Sequence, residues 1–161
     1  MEYQLLQSPH LRAIGVAGVV PSSFAPDAAE AVVAIEVLWM KLCRHIDASP
    51  GDPRWDFVGI TTPADEHVPP QRINYVAAVT SQSSLALPQG LDDFTINAGW
   101  YAVFNYLGPH DGLDEFYRVT YMEKLPALGL TTRDGQHLER YPSPSDAESI
   151  SAEAWIPVDK N

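Results

Sequence analysis

The stretch Ala98–Pro109, with the sequence AGWYAVFNYLGP, carries four aromatic rings within seven residues and ends at a Gly-Pro pair. Because side chains alternate along a strand, it would present two largely apolar faces, as a strand buried on both sides does. We predict a central strand that a helix covers on one side and that lines an aromatic site on the other. The stretch leaves one alternative open, in which all the rings pack in the core. One face would hold Trp100, Ala102, Phe104 and Tyr106, and the other Tyr101, Val103, Asn105 and Leu107.

Apolar segments on both sides of this stretch predict further strands and two helices. The first helix covers about residues 28–46, with Asp27 as its N-cap and apolar residues at spacings of three and four. The second begins with Asp111 as its cap and ends at Gly129, a residue type that often follows a helix. Leu85–Asp93 is predicted to be a connector. The other predicted strands are Leu11–Val20, Trp55–Thr61, Ile73–Thr80, His137–Tyr141 and Ala152–Val158.

The predicted elements occur twice in one order, which is strand, helix, strand, strand. We therefore predict an internal duplication of a roughly 80-residue βαββ unit within a single domain. The domain covers residues 1–161, with one repeat over about residues 1–90 and the second over about 91–161. Such units favour an α+β fold, in which an antiparallel sheet carries both helices on one face. The other face is then left for a ligand cleft between the halves.

The chain is strongly acidic. Of its 161 residues, 21 are Asp or Glu and 10 are Lys or Arg, which gives a formal net charge of −11. Nucleic-acid binding needs a basic surface that replaces counterions, so we predict no nucleic-acid partner and no anionic membrane partner. A negative field instead attracts a cationic small molecule or a basic protein. Since the chain has no secretory signal and no apolar run that could span a membrane, we expect a cytoplasmic protein.

The last two predicted strands interleave carboxylates with aromatic rings. Glu139 and Tyr141 share a face of the first strand, and Glu153 and Trp155 share a face of the second. The apolar row of the second strand should pack on the helices, so we expect all four residues on the helix-free face as cross-strand neighbours. Rings together with a carboxylate suit a cationic ligand. The alternative is an exposed sheet face on which the glutamates pair with neighbouring arginines.

Four motifs resemble the GyrI-like (gyrase-inhibitor-like) small-molecule-binding family, which includes effector-binding domains of multidrug-sensing transcription regulators. They are AGWYAVFNYLGP at 98–109, LPALG at 125–129, LERY at 138–141 and EAWIPV at 153–158. Tyr75–Val79 is similar to the middle strand of the family, and the resemblance covers essentially the whole chain. It implies a duplicated βαββ domain with a ligand cleft between the repeats. The stand-alone form is expected, because the chain is too short to carry a helix-turn-helix domain as well.

The resemblance also implies that Glu139 lies within an aromatic-lined cleft and faces cationic or polyaromatic ligands. Trp100 departs from the family, since many relatives have a smaller or polar residue before the tyrosine. We expect no cofactor and no metal, because Asp65-Glu66-His67 lies in a Pro-rich loop without a second pair of ligands. The predicted ligand-binding residues are Glu139, Tyr101, Trp100, Tyr141, Glu153, Trp155, Phe104 and Tyr75.

Three functions follow from these residues. The first is the binding of cationic, amphipathic or polyaromatic small molecules. The second, implied by the resemblance to stand-alone relatives, is a cofactor-free hydrolase of strained, cyclopropane-type electrophiles; whether the chain is an enzyme is left open. In that case Glu139 would act as the general base, because desolvation raises the pKa of a carboxyl group, and Tyr101 or Tyr141 would orient the water. The third is an acidic interaction module that blocks a basic or DNA-binding protein.

Overall fold

A computed structural model describes residues 3–21, 29–48, 52, 55–62, 72–80, 89–142 and 148–159. Within these ranges the chain forms an eight-stranded sheet in which all neighbouring strands are antiparallel. The strands are β1 (Gln4–Ser8), β2 (Leu11–Pro21), β3 (Asp56–Thr62), β4 (Arg72–Thr80), β5 (Asp92–Ile96), β6 (Gly99–Gly108), β7 (His137–Arg140) and β8 (Ile150–Pro157). Their order across the sheet is β1-β6-β8-β7-β3-β4-β2-β5.

The sheet curls until its two ends meet. Pro9-His10 connects β1 to β2, and Asn97-Ala98 connects β5 to β6, although each pair spans most of the strand order. Two residues reach roughly 7 Å, so only a curled sheet brings these strands together. Its inner face is filled by a core that includes Ile96 from β5 and Tyr101 from β6. The other buried members of this core are Ala13, Val58, Ile60, Val76, Ala78, Val103 and Leu138.

Both helical regions pack on the opposite, outer face, which we call the helix face. The helix α1 (Ala29–Ile46) buries Leu38 and Leu42 against β2 and β4. A composite helix (110–127) buries Leu125 against β6 and β8. It consists of a 3₁₀ turn (His110–Gly112), α2 (Leu113–Val119), a π-helix (Thr120–Lys124) and α3 (Leu125–Ala127). The prediction of an α+β fold with both helices on one face of an antiparallel sheet is confirmed.

The helix boundaries follow local chemistry with one exception. The first helix ends at the predicted residue, whereas its predicted N-cap, Asp27, lies outside the described residues. Gly129 has a φ of 68° and ends the composite helix, and the Leu130 N–H donates to the Leu125 carbonyl over 3.1 Å. The prediction that Asp111 caps the second helix is wrong. Asp111 lies inside the 3₁₀ turn, which the fixed φ of Pro109 starts earlier.

Two strands are absent from the predicted pattern. Leu5 and Leu6 of β1 are both more than one-third exposed, so the period-two burial signal is missing there. β5 begins with Asp92 and Asp93, and aspartate is depleted in strands. The predicted connector, Leu85–Asp93, therefore included the first two residues of β5. β1 pairs with β6 along the outer side of that strand, and β5 pairs with β2 at the opposite end of the strand order. For this reason β6 is second from an edge and not central. The duplication and the repeat boundaries stay predictions.

Within the part of the chain that the structure describes, no helix is long and apolar enough to cross a membrane.

Candidate functional site

Glu139 lies near the middle of the sheet, on β7, and projects from the helix face. It pairs with Gly59 on β3 and with Ala154 on β8, so its two cross-strand neighbours are the smallest residues available. The space above Gly59 is taken by the Tyr75 hydroxyl group, and a Cβ atom at position 59 would overlap that oxygen. Because Gly59 has no side chain, the Tyr75 ring can lie across β3 and extend toward the Glu139 carboxyl group.

Rings from both helical regions surround this carboxyl group. The Tyr117 hydroxyl donates a hydrogen bond to Glu139 Oε2. On its other side, Trp39 of α1 donates from Nε1 to the Tyr75 hydroxyl over 3.1 Å, and its ring meets the Tyr141 ring edge-on, with centroids 5.7 Å apart. We call the following set the Glu139 site: Glu139, Trp39, Tyr75, Tyr117, Tyr121, His137 and Tyr141.

Tyr121 and His137 form a second hydrogen-bonded pair at the Glu139 site. The Tyr121 hydroxyl lies 2.6 Å from His137 Nδ1, and the Tyr121 ring stacks with the Tyr117 ring at a centroid distance of 6.4 Å. The π-helix begins between these two tyrosines, at buried Thr120. Segments of this kind are frequent at functional sites.

The electrostatics of the Glu139 site leave one unneutralised carboxylate among neutral donors. Burial raises the pKa of Glu139, and the hydrogen bond from Tyr117 opposes that rise. Burial is also the largest cause that raises the pKa of Tyr75, Tyr117 and Tyr121, and the charge of Glu139 adds to it. These hydroxyl groups therefore remain protonated. Burial, and after it Arg133, lowers the pKa of His137, which favours the neutral ring.

A model of the GyrI-like small molecule binding domain matches residues 1–159 of this chain. The chain belongs to the GyrI-like family. It is also similar to the transcriptional regulator Rob of Salmonella typhimurium, with 29% identity over 104 residues, which are 61% of this chain and 36% of that protein. The GyrI-like chain thus spans about a third of the length of the curated relative that it matches.

Solved structures have the same fold as this GyrI-like domain. A structure of SAV2435 bound to tetraphenylphosphonium matches it with a TM-score of 0.75 and 20% identity, over 99% of this chain and 94% of that chain. A hydrolase encoded by lin2189 from Listeria innocua matches with a TM-score of 0.56 and 10% identity, over 98% and 92%. The family model identifies the chain as a small-molecule-binding domain, and the solved structures show that its fold is shared.

The register between β7 and β8 overturns one prediction. Leu138 pairs with Trp155 and Arg140 with Glu153, so these four residues share the inner face. Glu139 instead pairs with Ala154, whose apolar row packs under the helices as predicted. The prediction that Glu139 and Tyr141 neighbour Glu153 and Trp155 on a helix-free face is therefore wrong. A shift of one residue in register exchanges the faces of a strand, and the patterns of the separate strands do not specify that register.

The other predicted ligand-binding residues fall into three places. Tyr75 and Tyr141 lie with Glu139 in the Glu139 site. Trp100 and Phe104 share the helix face but pack under the composite helix, where Phe104 stacks with Tyr3 at 5.8 Å. On the inner face lie Tyr101, Glu153 and Trp155.

Tyr101 is fully buried on the inner face, and its hydroxyl donates to the Asn97 carbonyl over 3.3 Å. It cannot reach the Glu139 carboxyl group on the other side of the sheet. The prediction that Tyr101 orients a water molecule for Glu139 is wrong for this reason.

Four residues of the Glu139 site were not predicted as site residues: Trp39, Tyr117, Tyr121 and His137. The sequence carried one usable signal, since Tyr117 and Tyr121 are four residues apart and therefore share one face of the second helix. Buried tyrosine hydroxyls need hydrogen-bond partners, and two in succession point to a polar site below the helix. Among the described residues no cluster of three or more metal-ligating side chains occurs. Asp65, Glu66 and His67 lie outside those residues.

Proposed function

We propose that this GyrI-like domain binds bulky aromatic cations at the Glu139 site, with the Glu139 carboxylate as the counter-charge. The observation that carries the proposal is a partly buried carboxylate enclosed by aromatic rings. Among the described residues, no arginine or lysine forms an ion pair with it. A buried charge without a partner is unfavourable, and a cation that enters between the rings would offset that cost.

Three further observations support a cation of the phosphonium or quaternary ammonium type. Such a cation has no N–H group, so Tyr117 could keep its hydrogen bond to Glu139 while the ligand contacts the faces of the rings. The net charge of −11 attracts cations from a distance. The similar protein SAV2435 has a structure with tetraphenylphosphonium.

The test is a calorimetric titration of the protein with tetraphenylphosphonium. Glu139→Gln keeps the size of the side chain and removes its charge, so the affinity should fall at least about tenfold. Glu36→Gln, at an exposed position of α1, is the matched control and should bind as the unchanged protein does. Triphenylphosphine oxide, which has similar rings and no net charge, should bind about equally to both variants. Equal binding of tetraphenylphosphonium to Glu139→Gln, with its folding verified by circular dichroism, would refute the proposal.

The second candidate function is hydrolysis of a strained, cyclopropane-type electrophile at the Glu139 site. The raised pKa of Glu139 supports it, because a carboxylate whose pKa lies closer to neutrality is a better general base. Glu139 would take a proton from water while the water oxygen forms a bond to a ring carbon. The carbon–carbon bond at that ring carbon would break, and the carbon released would take up a proton in return. Tyr141 stays the predicted residue that orients the water.

Mass spectrometry of the electrophile after incubation with the protein distinguishes the two candidates. A hydrolase adds the mass of one water molecule to the electrophile, and Glu139→Gln abolishes that addition. A protein that only binds raises its own melting temperature and leaves the compound unchanged.

A further inference from the structure

A pocket lies on the inner face of the sheet, at the end of the curl where β7 and β3 meet the β1–β2 connection. It has a volume of about 450 Å³, within the range of small-molecule sites. Its apolar wall includes Leu6, Leu11 and Trp155, and its charged groups are Arg140, Glu153 and Asp56. Arg140 follows Glu139 on β7 and therefore projects from the opposite face of the strand, while Tyr141, a member of the Glu139 site, also lines the rim of this pocket.

Arg140 is the feature of this pocket that calls for a ligand. Its guanidinium carbon lies 4.7 Å from the centre of the Trp155 ring, so the group is stacked and held in place. Its Nε is buried and has no hydrogen-bond partner within the part of the chain that the structure describes. A buried donor on a charged group is costly when it is left unpaired. An anionic ligand in the pocket would not reach the buried Nε itself, but it would interact with the terminal N–H groups of the same guanidinium.

Both carboxylates of the pocket act on the charge of Arg140: burial lowers the pKa of its guanidinium group, and Asp56 and Glu153 raise that pKa. Glu153 lies directly across from it on β8, yet Glu153 Oε1 accepts a hydrogen bond from Trp155 Nε1 over 3.2 Å. Over the described ranges, neither Glu153 nor Asp56 forms an ion pair with Arg140. The pocket therefore contains one positive group and two negative groups, kept apart and next to an apolar wall.

We propose that this pocket binds an α-amino acid with a large apolar side chain, in its zwitterionic form. The ligand carboxylate would accept two hydrogen bonds from the Arg140 guanidinium, and its ammonium group would lie toward Glu153 and Asp56. Its side chain would pack on Leu6, Leu11 and Trp155. A simple anion would be repelled by the two carboxylates and a simple cation by Arg140. Only a ligand with both charges complements all three groups.

Three probes that share one side chain and differ in the charges they carry test this assignment: L-tryptophan, N-acetyl-L-tryptophan and L-tryptophan amide. Calorimetric titrations run at about pH 6.5, where the free α-amino group is protonated. We expect L-tryptophan to bind and each of the other two probes to bind at least about tenfold more weakly. Absence of L-tryptophan binding, or stronger binding of either singly charged probe, would overturn the proposal.

Variants separate the pocket from other effects. Arg140→Gln should weaken L-tryptophan binding at least about tenfold, whereas Arg118→Gln, an exposed arginine on α2 that pairs with Glu115, should leave it unchanged. Glu153→Gln removes the repulsion of anions, so N-acetyl-L-tryptophan should bind this variant about tenfold more tightly than the unchanged protein. Misfolding cannot produce that gain. L-tryptophan binding that is indifferent to both Arg140→Gln and Glu153→Gln would place the amino acid elsewhere and refute the assignment.

Tetraphenylphosphonium binding provides an independent readout for the same variants. Arg140→Gln should retain it, since the Arg140 side chain projects from the face of β7 opposite to Glu139. Loss of tetraphenylphosphonium binding in Arg140→Gln would mean that the substitution disturbs the whole domain, and the assignment of a separate pocket would fail.

Discussion

Glu139 and Arg140 are neighbours in the chain, yet their surroundings are opposite in character. Glu139 points to the helix face, where hydroxyl and indole groups from both helical regions surround a negative charge. Arg140 points to the inner face, where the sheet itself forms the walls and a positive charge is stacked on Trp155. The comparison shows that a single strand can place two side chains of opposite charge in different surroundings, because alternation sends successive side chains to different layers.

The two faces also differ in how closely the backbone packs. On the inner face, a Cβ atom at Gly15 would overlap the Ala77 carbonyl oxygen and lie 2.8 Å from the Ala78 Cα atom, both on the neighbouring strand. On the helix face, a Cβ atom at Gly59 would meet a side-chain oxygen and lie 3.0 Å from Tyr75 Cζ. Backbone atoms of a paired strand cannot move aside, whereas a ring can shift.

The largest expected effect is that of Gly15→Ala, which should lower the free energy of unfolding by about 3 kcal/mol or more, because the β2–β4 ladder must open to admit the methyl group. Urea denaturation measures the loss. The matched control on the same strand is Gly18→Ala, whose Cβ atom would lie 3.2 Å from the end of the flexible Leu38 side chain. If Gly15→Ala and Gly18→Ala lowered the free energy of unfolding equally, the inner face would not be the more tightly packed of the two faces.

The next effect is that of Gly59→Ala, which should cost about 1–2 kcal/mol, because the Tyr75 ring is displaced from Glu139. Its affinity for tetraphenylphosphonium should fall as well. Tyr75→Phe removes the oxygen that the new methyl group meets, so in the double variant the two losses of unfolding free energy should not add. Strict additivity would contradict the proposed clash.

A smaller effect is expected from Tyr117→Phe, which removes the hydrogen bond to Glu139 and should cost about 1–2 kcal/mol at neutral pH. In a Glu139→Gln background the same change should cost less, because the acceptor no longer carries a charge. A double-mutant cycle measured by thermal denaturation gives the coupling. A coupling of zero would mean that the hydrogen bond contributes nothing to the stability of the domain.

The smallest effect is a dependence on pH. Burial raises the pKa of Glu139 above that of an unfolded glutamate, so ionisation of this carboxyl group disfavours the folded state. Its contribution to stability is present below about pH 4 and is lost as pH rises through the raised pKa. Relative to the unchanged protein, Glu139→Gln should therefore become more stable as pH rises from about 4 to 7. A difference that is constant or falls with pH, measured by denaturation of both proteins, would contradict this sign.

The third predicted function, an acidic module that blocks a basic protein, stays a prediction from net charge. The net charge of −11 attracts a cationic ligand and a basic protein alike. Titrations with cationic ligands therefore separate these functions, and composition does not.

The sequence predicted a carboxylate among aromatic rings, but it did not predict all of the residues that form the Glu139 site. Glu139, Tyr75 and Tyr141 were predicted from resemblance and are together in the structure. Trp39 and Tyr117 looked like ordinary members of apolar helix faces, since only the docking of the helices brings their polar atoms to the carboxyl group. Tyr101 was misplaced, because the alternation along β6 is clear but the identity of each face is not.

The sequence by itself determined the helices and six of the eight strands, the glycine that ends the composite helix, and the family. These features depend on local periodicity and on residue types, which act over a few positions. Tertiary structure alone decided the pairing of β1 with β6 and of β5 with β2. It also decided the β7–β8 register, and with it the side of the sheet from which Glu139 projects. Pairing between distant strands sets these features, and a shift of one residue would have reversed them at little local cost.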